Sequence, residues 1–324
     1  MCTAVTYRTH DHYFGRTLDY ECSYGEQVVI TPRDFPFSFR HVPPLEHHYA
    51  LIGMATVAQG YPLYYEATNE KGLSMAGLNF PGNAHYSPCV EGRDNVSPFE
   101  FIPWILGRCA NLAEARALLD KLHLADTPFS DSLPLFPLHW MISDREGSVT
   151  VEAMEAGLRV YDNPVGVLTN NPPFDYQMQN LSNYLGLSPQ QPENRFSPAL
   201  DLKPCGQGFG MMGMPGDLSP ASRFVRAAYT KLNSASGDSE AESVSQFFHI
   251  LGTVTHPRGC VRTNSGNYEI TVYACCCNTD KGIYYYTTYE NNQISAVDLH
   301  RVNLDSRELF CYPLIATQQI HLQN

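Results

Sequence analysis

The chain opens Met1-Cys2-Thr3-Ala4-Val5-Thr6-Tyr7-Arg8, turns at His10-Asp11, and returns as His12-Tyr13-Phe14-Gly15-Arg16-Thr17-Leu18-Asp19-Tyr20. Thr, Val, Tyr and Phe dominate both halves, so residues 3–8 and 12–18 read as two strands around a turn. Cys2 is the informative residue. The initiator Met is removed when the next side chain is small, and Cys qualifies. Removal leaves one residue carrying a thiol and a free α-amine, with reference pKa values of about 8.5 and about 7.7–8.0. Such an amine can accept the thiol proton near neutrality, which puts nucleophile and base in one residue. Arg16 and Asp19 follow on the return strand, where the chain is expected to begin turning. A guanidinium beside a thiolate favours the charged nucleophile, and a carboxylate could hold or orient the amine. The bland readings are an incidental cysteine at a frayed end and an Arg–Asp surface pair worth little.

Outward from this hairpin the same pattern recurs. Strands at 49–57 and 63–68 flank Gln59-Gly60-Tyr61-Pro62, and Asn69-Glu70-Lys71-Gly72 turns into a return strand over 73–79. Further strand pairs surround Asp144-Arg145-Glu146-Gly147 and Asn278-Thr279-Asp280-Lys281-Gly282, and another hairpin turns at Glu290-Asn291-Asn292. These are antiparallel hairpins, and no GxGxxG or P-loop opens a helix. Helices are expected over 98–108, 112–122, 220–232 and 240–251, with Asn111 and Ser219 as caps and Pro220 at the first helical position. The order of strands, helix pair, strands, helix pair, strands indicates α+β layers, with two mostly antiparallel sheets stacked between helices.

Composition narrows the function. The 324 residues carry 33 acidic and 21 basic side chains, a net charge of -12, with no Lys/Arg cluster. A nucleic-acid partner needs a basic surface and is excluded. No run of about 18 apolar residues is present, so no membrane anchor is expected, and the first residues do not read as a signal peptide. The ten cysteines include Cys275-Cys276-Cys277, whose side chains alternate faces in a strand and cannot converge on one metal. No CxxC or HExxH occurs. Most of the ten are expected to be small buried hydrophobes in a cytoplasmic protein. His47, His48 and His139 are expected to be exposed or satisfied, and neither metal nor cofactor is implied.

Several motifs then fall together. Met1-Cys2-Thr3 with Phe14-Gly15-Arg16-Thr17-Leu18-Asp19 resembles the choloylglycine hydrolase family, which holds bile salt hydrolases and penicillin V acylases. Asn69-Glu70-Lys71-Gly72-Leu73-Ser74-Met75-Ala76-Gly77-Leu78-Asn79-Phe80, Leu168-Thr169-Asn170-Asn171-Pro172-Pro173-Phe174 and Ser222-Arg223-Phe224-Val225-Arg226 continue it across nearly the whole chain. The resemblance implies an N-terminal nucleophile hydrolase fold, a four-layer αββα sandwich, with 1–324 as a single catalytic domain lacking Met1 when mature. It places the nucleophile on Cys2, the paired Arg and Asp on Arg16 and Asp19, the active-site Asn residues on Asn79 and Asn170, and a second Arg on Arg223. Asn171 is a rival for Asn170, and the Thr-Asn-x-Pro phrasing favours the first. Asn at position 79 is closer to the bile salt hydrolases than to penicillin V acylases, which commonly have Tyr there.

The implied reaction is hydrolysis of glycine- or taurine-conjugated bile salts through a Cys2 thioester, with oxyanion donors from Asn170 and the neighbourhood of Asn79. An apolar acyl pocket is expected from Leu18, Tyr24, Tyr61, Phe129 and Leu133, with Pro128, Pro134 and Pro137 stiffening the loop 127–137. The family is usually tetrameric, which suits the Phe- and Pro-rich stretch 33–47 and the segment 186–216 as subunit contacts. The alternatives are a penicillin V acylase with the same chemistry, a papain-like hydrolase with an internal Cys and His, and a non-catalytic bile-salt carrier.

Overall fold

The computed structural model describes residues 1–324. The opening hairpin pairs strand Cys2–Arg8 with His12–Tyr20 in register, Cys2 opposite Leu18 and Arg8 opposite His12. Both strands lie inside a six-stranded sheet, flanked by the short strand Val167–Leu168 on one side and by Ile270–Asn278, Ile283–Thr288 and Asn291–Asp298 on the other. Gly15 permits this neighbourhood, because a Cβ there would stand 2.0 Å from the Cys275 carbonyl oxygen. A second sheet of eight strands is built from the remaining hairpins, with Ser74–Asn79, Tyr61–Asn69 and Leu138–Asp144 at its centre.

Alternation along the second sheet explains the layers. Val28, Ile30, Ala76, Leu78 and Met141 belong to the core shared with the first sheet, while Val29, Met75, Trp140 and Ile142 belong to the core under the helix Phe101–Leu106 and its neighbour Leu112–Leu119. Each strand thus serves two cores with side chains of opposite parity. Helices Pro220–Asn233 and Glu240–Gly252 cover the other face of the first sheet through Phe224, Ala228, Phe247 and Leu251. Helices, sheet, sheet and helices make the four-layer αββα sandwich. No helix is long and apolar enough to cross a membrane.

Local chemistry sets the helix starts. Asn111 accepts from the Glu114 amide, and Ser239 forms a reciprocal capping box with Glu242. Ser219 stands at its N-cap but makes no side-chain cap bond; Asp217 instead accepts the Ser219 amide and the Ser222 hydroxyl.

Several expectations are corrected. The helix expected over 98–108 is a 3-10 turn, Pro98–Glu100, followed by Phe101–Leu106. Leu122, assigned to the stripe of the next helix, lies in strand Leu122–Leu124, which pairs in parallel with Asp94–Val96. Leu122 and Leu124 are buried at strand spacing, so an apolar stripe ran on past the end of its helix. Strand Gly157–Asp162 gives no sequence signal because it is a largely exposed sheet edge. Within the stretch 33–47, Phe37 is fully buried and its ring packs on Phe35, Phe39, His48 and Tyr61, while Arg40, His41, Pro43, Pro44 and Glu46 stay exposed. Five cysteines, Cys22, Cys89, Cys205, Cys260 and Cys311, are exposed. They sit in turns, loops and an edge strand, outside the two cores.

Candidate active site

Cys2 lies at the floor of a cleft, 4% exposed. Its amide donates to Asn170 Oδ1 at 2.9 Å. Met1 extends the strand one residue further, so that the Asp19 amide donates to the Met1 carbonyl at 2.8 Å. The Met1 ammonium donates to the Asp19 carbonyl and, at 2.6 Å, to Glu269 Oε1.

Arg223 reaches this point from the first turn of its helix and is completely buried. Its Nη1 donates to the Cys2 carbonyl and to Thr3 Oγ1, both at 2.6 Å, and its Nη2 donates to Asn170 Oδ1 at 2.7 Å. Asn170 Nδ2 donates in turn to the Asn79 carbonyl at 2.7 Å. One guanidinium and one carboxamide therefore fix the main chain at Cys2 and at Asn79 together. Asn171 points elsewhere, to the Pro81 carbonyl and Asn83. Asn79 lines the cleft. His139 supports this arrangement from beneath: its ring bonds Glu152 and the Thr169 carbonyl and stacks on Phe80 at 4.2 Å. His48 is likewise satisfied, by the Tyr49 and Phe35 carbonyls, and His47 is exposed beside Asp34.

The return strand does not turn after Arg16. It continues to Tyr20, so Arg16 and Asp19, three residues apart, face opposite sides of the sheet. Arg16 faces the second sheet, where Nη1 donates to the Gly77 carbonyl at 2.7 Å and Nε lies 3.7 Å from Glu66 Oε2. Its Nη2 is buried with no hydrogen-bond partner in the chain. Burial disfavours the Arg16 charge, but Cys2, Tyr273 and Glu66 outweigh that and hold the guanidinium above its ordinary value. Asp19 faces the helices. Thr17 and Thr271 hydroxyls donate to it at 2.9 and 2.6 Å, and Arg223 Nη1 lies 4.0 Å away. Both residues are almost completely buried, which rules out the surface-pair reading.

The cleft above Cys2 is lined mainly by apolar groups, among them Leu18, Tyr24, Phe129, Leu133, Leu135 and Phe136. Tyr61 stands behind this wall, with its ring 6.0 Å from that of Phe129 and 5.9 Å from that of Phe99. The loop carrying Phe129 is tied down by Arg40, which donates to the Phe129 carbonyl at 2.8 Å and lies over the Phe99 and Phe129 rings. Across the mouth, Tyr24 meets Phe136 edge-on at 6.4 Å.

Sequence reasoning passes over four residues here. Glu66 accepts from the Tyr273 and Tyr284 hydroxyls at 2.7 and 2.6 Å beneath Arg16. His256, Glu269 and Thr271 gather around Asp19 and the amino terminus. Glu66 left a faint signal, an acid within an apolar strand of a charge-poor chain. The other three left none, since they meet Asp19 only through the distant strand pairing of Ile270–Asn278 with His12–Tyr20. No group of three or more His, Cys, Asp or Glu side chains is placed to hold a metal ion.

Residues 2–312 match the model of the linear amide C–N hydrolases, choloylglycine hydrolase family. The chain belongs to that family. This choloylglycine hydrolase family member is 52% identical, over 324 residues and 100% of both chains, to a bile salt hydrolase/transferase of Lactiplantibacillus plantarum. It is 40% identical, over 330 residues and 100% of both chains, to a bile salt hydrolase/transferase of Clostridium perfringens. The crystal structure of the C2A mutant of the Clostridium perfringens conjugated bile acid hydrolase superimposes with a TM-score of 0.93 at 39% identity, covering 100% of each chain. The four layers are those of the N-terminal nucleophile hydrolase fold. Penicillin V acylase from Agrobacterium tumefaciens, with a TM-score of 0.75 at 19% identity over 97% of this chain and 92% of its own, shares that fold.

Proposed function

We propose that this chain, acting as one catalytic unit over 1–324 after loss of Met1, hydrolyses the amide bond of glycine- and taurine-conjugated bile salts. The observation that carries the proposal is the placement of Cys2 on the floor of an apolar cleft, beside Arg16 and Asn79, with Asn170 and Arg223 holding its main chain from behind and Asp19 beside Arg223. The curated relatives named as bile salt hydrolases cover the chain from end to end at 52% and 40% identity, which supports the substrate class. Penicillin V as substrate has only a likeness of fold behind it.

The Cys2 thiolate, facing Arg16, attacks the carbonyl carbon that joins the steroid acyl group to the amino acid. The oxyanion falls to the Asn79 side chain, which lines the cleft and makes no side-chain hydrogen bond within the chain; such a donor is worth about 3 kcal/mol. Asn170 adds a positioning role to the expected one. One N–H of its carboxamide is spent on the Asn79 carbonyl, which positions Asn79 and Cys2, and the second N–H remains as a donor to the oxyanion. The Cys2 α-ammonium, in reach of Asn170 Oδ1 and ordered by Asp19, protonates the leaving amine. Glycine or taurine departs, a thioester remains, and water activated by the same amine releases the bile acid. The rigid steroid fits the wall of Leu18, Phe129 and Leu133, and burial contributes about 25 cal/mol per Å² removed from water.

The proposal extends to a homotetramer and to the cytoplasm. Leu185, Phe196 and Met212 are 86%, 81% and 74% exposed around the segment 186–216, a load of apolar surface suited to other copies of the chain. Light scattering on a sizing column checks the mass. Incubation with glycocholate, taurocholate and penicillin V, with the freed amine quantified, tests the activity. Release of glycine and taurine well ahead of penicillin V turnover is expected, and bile salt binding without amine release would leave a carrier.

A further inference from the structure

His256 is 1% exposed, and neither ring nitrogen has a hydrogen-bond partner. Buried polar groups are rarely left so. Its Nε2 stands 3.8 Å from Asp19 Oδ2 and its Nδ1 3.5 Å from Glu269 Oε1. The main chain fixes the ring there: the His256 amide donates to Thr271 Oγ1 at 2.8 Å, and the same hydroxyl donates to Asp19 Oδ1. The charged groups facing the ring come from every element around it. They are Asp19 from the return strand, Glu269 from the approach to Ile270–Asn278, Arg223 from its helix, and the chain's amino terminus. With Met1 present, two cations, Arg223 and the Met1 ammonium, face two carboxylates. Burial and the two cations hold the His256 ring below its ordinary value against the pull of the carboxylates, and burial is the larger effect.

We infer that His256 is a positioning residue for the amine that serves as base: it takes up a proton between Asp19 and Glu269 whenever the Cys2 amine gives one up. The inference rests on the Cys2 mechanism proposed above. Removing Met1 takes its ammonium from Glu269 and moves the terminal charge one residue inward, to Cys2. When that amine is neutral, as a base must be for part of each turnover, Arg223 alone faces two buried carboxylates. An unbalanced buried anion is costly, and His256 is the one uncharged titratable group touching both. An N–H bond forms on the ring with a proton drawn from solvent as the N–H bond on the amine breaks toward the leaving group. The two sites therefore titrate as a pair. The imidazolium shields the amine from the carboxylates, which would otherwise favour its ammonium form.

The test is His256→Asn, with His256→Gln as a second variant, in enzyme whose intact mass shows Met1 absent. The readout is kcat/KM for glycocholate against pH. Without the ring, the carboxylates hold the amine protonated to higher pH, so the acid limb moves up by about one pH unit, and activity recovers toward wild type above it. KM stays within about twofold, since His256 does not line the cleft. A merely structural residue would lower activity equally at every pH. An acid limb that stays in place or moves down, in a variant that remains folded, overturns the inference. If both variants fail to fold, Glu269→Gln reports instead: with one carboxylate neutralised the acid limb must move down, and an unmoved limb overturns the inference. Failure of the Cys2 mechanism itself would show separately, as wild-type activity that survives Cys2→Ala.

Discussion

Asn170→Ala removes three hydrogen bonds at once and predicts a loss far beyond that of a surface amide. Its oxygen accepts from the Cys2 amide and from the buried Arg223 guanidinium, and its nitrogen donates to the Asn79 carbonyl, at 2.9, 2.7 and 2.7 Å. A bond to a charged group contributes about 1.5–3 kcal/mol and each neutral one about 1 kcal/mol, so the set contributes about 4 kcal/mol. At 1.36 kcal/mol per tenfold, full expression in the transition state is about a thousandfold in kcat/KM. Part of it must appear as lost stability, because Arg223 is left without one acceptor in a dry site. We therefore expect about a hundredfold loss of kcat/KM with a lowered Tm. Steady-state release of glycine from glycocholate measures the first, and a thermal melt the second. Asn170→Asp keeps the acceptor but sets an oxygen against the Asn79 carbonyl, so it should be no better than Ala. Asn171→Ala is the control and should stay within about tenfold, since Asn171 serves Pro81 and Asn83. An Asn170→Ala enzyme within threefold of wild type, or one no worse than Asn171→Ala, would refute the positioning role.

Phe129→Ala opens the cleft wall and the contact with Phe99 at 5.2 Å. It should lower kcat/KM for glycocholate and taurocholate together by about tenfold, leaving their ratio within twofold, because both carry the same acyl group. A reversed glycine-to-taurine preference would move specificity to the amine end. Burial pushes the thiols of Cys275 and Cys276 well up and that of Cys277 up to about 12, so these three should resist iodoacetamide in the folded protein. The five exposed cysteines should label without loss of activity, and inactivation measured by peptide mass spectrometry should follow Cys2 alone. Burial raises Glu66 above its ordinary carboxylate value, against the pull of Arg16 and the two tyrosines. A raised acid contributes stability that is present below its unfolded value and lost as pH rises through its folded one. The Tm of wild type relative to Glu66→Gln should therefore fall as pH rises above the ordinary carboxylate range, and a constant difference would contradict this.

Local patterns carried much of the fold. Hairpin turns such as Asn69-Glu70-Lys71-Gly72 and the Asn111 cap each act over a few residues, and each can be read one segment at a time; the Ser219 cap makes no cap bond, and the Ser239 cap went unread. What stayed hidden is what the sheets assemble across distance. Arg16 and Asp19 are neighbours in sequence but face opposite layers, and only the full length of the strand to Tyr20 shows it. Glu269 and Thr271 reach Asp19 because Ile270–Asn278 pairs with the opening hairpin, a contact that no local signal announces. His256 follows a helix as part of an unremarkable Thr-His-Pro stretch. Tyr61 shows the same limit from the other side: an aromatic residue in the expected segment, with its ring packed behind the wall it was expected to form. The five exposed cysteines show that residue type predicts burial only on average; loops carry what the core does not need.

The central claim is a bile acyl thioester on an amino-terminal Cys2. Acid-quenched enzyme caught during glycocholate turnover, digested and analysed by mass spectrometry, tests it most directly. The account predicts an amino-terminal peptide that begins at Cys2, lacks Met1 and carries a cholyl group on its sulfur, a mass gain of cholic acid minus water, at an occupancy that rises with substrate and is absent in Cys2→Ser. Full activity from a chain that retains Met1, or turnover with the acyl group on another residue, would contradict it.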